Sequence, residues 1–435
     1  MTRIIPFRGI LYNREKITNL EDVVTPPYDV IPKEDYKKYY QRHGNNIIHI
    51  ILGKDYPHDN DSYNKFTRAA GYFEGWIKDG IFKRDSLPSF YIYLQKYRIK
   101  NGKEKTRKGF IALVRLEEYE KRIVLPHEET FSKTKETLIC LKRACNANLS
   151  PIFSLYSDPE NEINHTIEKG ISKNPPIIDI HDNDSTEHLL WRLSDIQEID
   201  KIKELISDKQ LIIADGHHRY ETALGLRNIL RREKGSSEPE MPFDYVMMYL
   251  TNMDDEGLSI LPTHRIIQKL DRSNLRSLMD QLNKDFDVDT FDYEEKKRFF
   301  QALRQKGKED ISFGIFWGEE RHYLLTLKNK DIMESYREDS RPREWWELDV
   351  TILQKLIIEE ALGKRDSNED NLIYTHDEEE AIRRVRDTKD SLALFLNPTK
   401  IEDLKKIVGL GEKMPQKSTY FFPKLLTGLV FNKLD

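Results

Sequence analysis

Cysteine is nearly absent: 435 residues hold two, Cys140 and Cys145. They sit in a helical stretch on different faces, with no partners at a metal-site spacing. Two reduced thiols are expected, so neither a disulfide scaffold nor a zinc site organises the chain. Long apolar runs are also missing, and none reaches the length that spans a bilayer. The opening MTRIIPFRGI lacks the apolar segment of a secretory signal. A cytoplasmic protein with no membrane partner is the expectation. No block of Lys or Arg stands out and the formal net charge is −5, which argues against a nucleic-acid partner. There is no internal repeat, no low-complexity tract and no H-E-x-x-H spacing. Lys417-Ser418-Thr419 has the lettering of a P-loop end, but the upstream glycines are missing and that reading is rejected.

Charge and length are what the chain does have. Asp, Glu, Lys and Arg make up 33% of it, and mean hydropathy is −0.69. The length allows two or three domains with cores that need no covalent staples. The densest chemistry lies in Leu211–Leu224, LIIADGHHRYETAL. Leu211-Ile212-Ile213-Ala214 predicts a strand that stops at Asp215-Gly216. Ala223, Leu224 and Leu226 predict a helix that follows at once. A glycine at such a turn lets backbone approach a ligand. The first N–H groups of a helix have no partner within it, and the helix dipole favours an anion there. His217, His218 and Arg219 beside those donors read as a phosphate cradle. The alternative is that Asp215 caps the helix and the histidines are polar surface.

Other polar stretches follow extended segments. Pro26-Pro27 enforces extended backbone, which presents Tyr28 and Asp29 at a cleft or makes a structural turn. A predicted strand at Arg122–Leu125 runs into Pro126-His127-Glu128-Glu129-Thr130. There His127 or Glu128 is a general base, a metal ligand or part of a solvated turn. Leu258–Leu261, expected to pair with Tyr245–Thr251, runs into His264 and Arg265. These add charge to the same anion site or form a surface pair. Lys417, Ser418 and Thr419 lie in a polar stretch that can reach back to the central turn. Phe90–Ile99 and Thr106–Leu116 predict a hairpin around Asn101-Gly102. Helices Asn274–Phe286 and Tyr293–Lys306 are expected to flank a linker. The texture changes near residue 270. The expected division is an N-terminal α+β part over 1–150, a core with the turn over 151–270, and a C-terminal α+β domain over 271–435.

ADGHHRYETA at 214–223 resembles the signature of a prokaryotic family, domain of unknown function 1015. Matching stretches run through the chain in order. They are Pro6-Phe7-Arg8-Gly9, Pro26-Pro27-Tyr28-Asp29-Val30-Ile31 and Leu125-Pro126-His127-Glu128. Asn148-Leu149-Ser150-Pro151-Ile152-Phe153, Leu261-Pro262-Thr263-His264-Arg265 and Met414-Pro415-Gln416-Lys417-Ser418-Thr419-Tyr420 follow. The chain is identified as a member on these grounds. Its Asp215–Arg219 core is similar to the nucleotide-binding turn of the partition protein B and sulfiredoxin superfamily, which includes an archaeal free-serine kinase. Genes of the family often stand beside serine-biosynthesis genes. The resemblance implies an α+β fold of mixed sheets with a partition-protein/sulfiredoxin-like core and a C-terminal α+β unit.

The expected chemistry is phosphoryl transfer on a small metabolite, either as a serine kinase or as a phosphoserine phosphatase. Such transfer needs cations and N–H donors around the moving group and a base for the nucleophile. Asp215, His218, His127, Glu128 and Asp29 are the candidate catalytic groups. Gly216, His217, His218 and Arg219 are expected to hold the phosphate or nucleotide, with His264, Arg265, Lys417, Ser418 and Thr419 in support. Tyr28, Asp29 and Tyr220 are expected at the substrate. No dedicated metal is expected, and Mg2+ would enter with ATP or ADP. Two alternatives are weighed. A nucleotide-gated binding protein would need a basic surface or a helix-turn-helix, and neither is found. A metal-dependent hydrolase would draw on His127, Glu128, His217, His218 and His264.

Overall fold

The computed structural model describes all residues except 101, 130–131, 173, 235–239, 271, 319, 338 and 364–370. Asn101 of the expected hairpin turn and Thr130 therefore lie outside the described residues, as does part of the expected loop over 231–242. The fold is α+β. It holds two compact units, one of Met1–Pro126, Thr130–Ser259 and Pro423–Asp435, the other of His127–Glu129 and Ile260–Phe422.

The first unit is built on a nine-stranded sheet. Its strands are β1 (Ile4–Ile5), β2 (Phe90–Arg98), β3 (Glu104–Arg115), β4 (Val124–Pro126) and β5 (Ile152–Tyr156). β6 (Ile178–His181), β7 (Glu187–Leu193), β8 (Leu211–Asp215) and β9 (Tyr245–Asn252) complete it. The order is β4-β8-β5-β9-β3-β2-β7-β6, with β1 beside β3. β4 with β8 and β5 with β9 run parallel; the other pairs are antiparallel. β9 is buried along its whole length, as a strand covered on both faces must be. It has β3 on one edge and β5 on the other. This corrects the expected pairing of Tyr245–Thr251 with Leu258–Leu261: both edges of β9 are already taken.

Helices cover this sheet because their apolar residues recur every three or four positions. α1 (Lys65–Lys78) opens with a reciprocal cap between Asn64 and Thr67. α2 (Ser132–Cys145), α3 (Glu162–Ile171), α4 (Ile196–Ile206) and α5 (His217–Lys234) follow. Ile163, Ile167, Ile199 and Ile202 pack with Leu211 and Ile213 of β8 and Ala223 of α5. Each such side chain contributes about 1.5–3 kcal/mol by leaving water. That burial holds the register of β8 and so fixes where its last residue, Asp215, emerges.

The closing segment 423–435 is part of the same unit. Arg107 donates to the Pro423 carbonyl, and Gln95 Nε2 donates to the Lys424 carbonyl at 2.9 Å. Thr25 and Thr427 exchange backbone hydrogen bonds of 3.1 and 2.8 Å, and Asn432–Lys433 pairs with Ala147–Asn148.

The second unit carries a six-stranded sheet. Its strands are β10 (His264–Ile267), β11 (Phe286–Asp292), β12 (Ser312–Phe316), β13 (Arg321–Leu327), β14 (Leu372–Thr375) and β15 (Leu392–Phe395). The order is β11-β13-β12-β15-β10-β14, antiparallel throughout. α6 (Lys296–Lys306) and α7 (Glu378–Asp387) bury Phe299, Phe300, Ile382 and Val385 against Phe316, Leu324 and Phe395. β11 corrects the expected linker between two helices. Its buried Phe286 and half-buried Val288 alternate with exposed Asp287 and Asp289. Exposed acids suit a strand at the edge of a sheet.

Candidate functional site

β8 delivers Asp215 to the start of α5, an 18-residue helix. Gly216 between them has φ +92°, and a Cβ there would lie 2.8 Å from Arg219 Nε. Positive φ and the close guanidinium both call for glycine. The Gly216 carbonyl accepts the Tyr220 N–H at 3.0 Å, closing the first turn. Asp215 and Arg219 are one turn apart, so their side chains meet: Arg219 Nη2 lies 3.0 Å from Asp215 Oδ2. Lys424 reaches the other oxygen, with Nζ 3.2 Å from Oδ1. Arg219 Nη1 donates to the Pro151 carbonyl at 2.5 Å. Asp215 is thus a carboxylate shared between two cations.

Electrostatics separate the two acids of this group. Burial pushes the Asp215 carboxyl upward, but the Lys424 and Arg219 charges outweigh it and hold the pKa at about 2. Asp29 goes the other way. Crowding of its carboxyl by protein and the nearby Asp215 charge raise its pKa, against the opposing pull of Arg219 and Lys424. The residue as a whole remains exposed. Tyr28 beside it is half-buried. Its hydroxyl pKa is raised by burial and then by Asp29. His217 is 8% exposed and its charge also acts on Asp215. His218 follows it in the first turn of α5, half-buried.

His127, Glu128, Lys417, Ser418 and Thr419 come together in the second unit. His127 is fully buried, with Nε2 2.8 Å from Thr419 Oγ1 and 3.8 Å from Glu128 Oε2. Its carbonyl accepts the Met414 N–H at 2.8 Å. Glu128 Oε1 accepts the backbone N–H of Lys417 at 3.0 Å, where Lys417 has φ +57°. Ser418 Oγ donates to the Pro415 carbonyl. In this group the polar side chains hold a turn.

His264 and Arg265 lie in β10 and are 1% and 3% exposed. Burial drives the His264 pKa down to about 3, so the imidazole is neutral. The expectation that it adds positive charge is corrected on that ground. Arg265 Nη1 donates to Gln354 Oε1 at 3.1 Å, within the second unit. Tyr220, expected at the substrate, is a core residue at 0% exposure. Its hydroxyl donates to the Glu117 carbonyl at 2.7 Å and accepts the Glu117 N–H at 3.0 Å. Tyr220 precedes Ala223 and Leu224 by three and four positions, and that spacing places it on the apolar face. Lys424 is the functional candidate that sequence reading missed, because no spacing ties it to a turn 209 residues away. Among the described residues, no three His, Cys, Asp or Glu side chains gather as metal ligands. Among the same residues, no helix is long and apolar enough to cross a membrane.

A family model described as Protein of unknown function (DUF1015) matches residues 4–351. No curated protein matches the chain. Among solved structures, a conserved hypothetical protein from Pyrococcus furiosus is similar at 14% identity and a TM-score of 0.32, covering 71% of this chain and 92% of that one. A free serine kinase variant in complex with ADP is similar at 13% identity and TM-score 0.34, with coverage of 71% and 89%. A C-terminally truncated SbnI from Staphylococcus aureus is similar at 11% identity and TM-score 0.35, with coverage of 73% and 85%. Likenesses this distant carry no argument about activity.

Proposed function

The chain belongs to the DUF1015 family, and from that premise we propose that it is a phosphoryl-transfer enzyme acting on a small metabolite, with the phosphate of a nucleotide held at the Asp215–Arg219 turn. One observation carries the reading. Two cations, Arg219 and Lys424, converge on the first turn of a long helix that opens on a positive-φ glycine. Helix N-termini attract phosphate through free N–H groups and the dipole. A guanidinium supplies a planar fork for phosphate oxygens, and an ammonium a compact point charge.

The two acids take different roles. A carboxyl held at about pKa 2 is a poor base at neutral pH, so Asp215 keeps the cations in place. Asp29, raised and exposed, is the better proton acceptor for an attacking hydroxyl. Asp29 and Asp215 are also hard oxygen donors of like charge, which suits Mg2+ carried by a nucleotide. When bound, the ion would neutralise phosphate charge. Serine and phosphoserine enter as candidate substrates through the sequence resemblance of the turn.

The test is a thermal-shift screen with ATP, ADP, phosphate, serine and phosphoserine, with and without Mg2+. A ligand that binds only the folded state raises Tm by mass action. Nucleotide or phosphate is expected to raise Tm in the wild type and not in Arg219→Ala. The substitution itself is expected to cost about 1–3 kcal/mol, because it strips partners from Asp215 and the Pro151 carbonyl. A shift that survives in Arg219→Ala, or no shift with any phosphate ligand, overturns the reading.

A further inference from the structure

A solvent-open cleft within the first unit has Arg219 and Tyr28 in its wall. Ile51, Leu138, Leu141 and Leu149 make much of that wall apolar. Its polar side chains include the cations Lys142 and Arg219 and the amide of Asn148. Lys142, on the last turn of α2, points its ammonium at Asn148 Oδ1, 2.6 Å away. That contact uses one of three ammonium hydrogens. Asn148 is 3% exposed and Thr222 is 2% exposed. Among the described residues, neither Asn148 Nδ2 nor Thr222 Oγ1 has a hydrogen-bond partner. Both residues line the cleft.

A buried amide N–H without a partner costs about 1–3 kcal/mol. Burial also pushes the Lys142 amine down to about 7, because its charged form has only an amide oxygen beside it. Both penalties vanish if a ligand brings acceptor oxygens. Lys142 Nζ meets one end of the Asn148 amide, and Nδ2 is the other end. A carboxylate offers two oxygens to two neighbouring donors, and the leucines and Ile51 cover an aliphatic body.

We propose that this cleft binds a small organic carboxylate with an aliphatic body, its carboxylate held by Lys142 and Asn148. The preceding reading bears on this only in making Arg219 the phosphate-binding end. It would make the carboxylate the metabolite on which phosphoryl transfer acts. The carboxylate end stands on Lys142 and Asn148 alone. A free amino acid with a short polar side chain leaves the apolar wall uncovered, so serine is expected to bind more weakly than a branched aliphatic acid.

The experiment is a thermal-shift titration of the full chain with isovalerate, isoamyl alcohol, adenosine and phosphate, in the wild type, Lys142→Met and Thr222→Val. Lys142→Met keeps the apolar stem and removes the charge. Isovalerate is expected to raise Tm in the wild type, isoamyl alcohol to leave it unchanged, and Lys142→Met to weaken isovalerate at least about tenfold. Thr222→Val, which keeps shape and loses a hydroxyl that the carboxylate does not use, is expected to leave the isovalerate shift unchanged. The response to phosphate is expected to be the same in Lys142→Met and wild type. An isovalerate shift that persists undiminished in Lys142→Met overturns the proposal. So does silence with isovalerate, or adenosine or the alcohol acting in its place. An isovalerate shift without any phosphate shift upholds the carboxylate site and overturns the phosphoryl-transfer reading instead.

Discussion

The turn at Asp215–Arg219 and the group at His127–Glu128 with Lys417–Thr419 look alike as sequence. Each sets histidine and an acid after a predicted strand. Their partners set them apart. Asp215 spends both oxygens on side-chain cations, whereas Glu128 accepts a backbone N–H and His127 meets a hydroxyl. A carboxylate between two cations leaves net positive charge that a ligand can use. A carboxylate on a backbone N–H fixes chain geometry. The partner, more than the residue type, decides whether a polar cluster offers chemistry or holds a loop.

The sharpest way to break this contrast is to remove the shared acid. Asp215→Ala leaves Arg219 and Lys424 facing each other with their charge uncompensated, and about 3 kcal/mol of stability is expected to be lost in urea unfolding. The same acid sets a pH signature. Its pKa is depressed from 3.8 to about 2 in the folded state. The stability it contributes is fully present above the ordinary value and is lost as pH falls from about 4 to 2. On the order of 2 kcal/mol is expected to disappear over that window in the wild type. Asp215→Asn is expected to lack that component; equal acid sensitivity in both would place the anchor elsewhere.

Backbone substitution comes next. Gly216→Ala meets both an unfavourable φ and the Arg219 guanidinium, with an expected cost of about 2 kcal/mol. Phosphate stabilisation is expected to be lost with it. The smallest effect is expected in the second unit. Glu128→Met removes the acceptor for Lys417 N–H and is expected to cost about 1 kcal/mol while phosphate stabilisation stays unchanged. Were Glu128→Met to erase the phosphate response, the distinction between the two groups would fall.

Much of this was legible in the chain because it is local. Leu211–Ala214 followed by Asp215-Gly216 marks a strand that stops and a helix that starts, and the structure has both. The Ile196–Ile206 helix and the Ile152–Tyr156 strand also match their expected bounds. What was not legible depends on packing across long separations. Lys424 joins Asp215 only through a segment fastened by Arg107, Gln95 and Thr25. The neutral state of His264 follows from its burial in β10, which a two-residue His-Arg motif cannot reveal. Tyr220 adjoins the motif, yet its spacing to Ala223 and Leu224 is that of the apolar face, and it is buried there. Residues 287–292 read as a linker in the sequence because an edge strand exposes acids as a loop does.

The separation between Asp215 and Lys424 also has a consequence in time. Ribosomes add roughly 5–20 residues per second, so the 209 residues between them take about 10–40 s to synthesise. For that interval a nascent chain carries Asp215 and Arg219 but not the second cation, and β8 and α5 must wait beside an incomplete cluster. The anion site is therefore among the last features of the first unit to be finished, whatever the speed at which its sheet assembles.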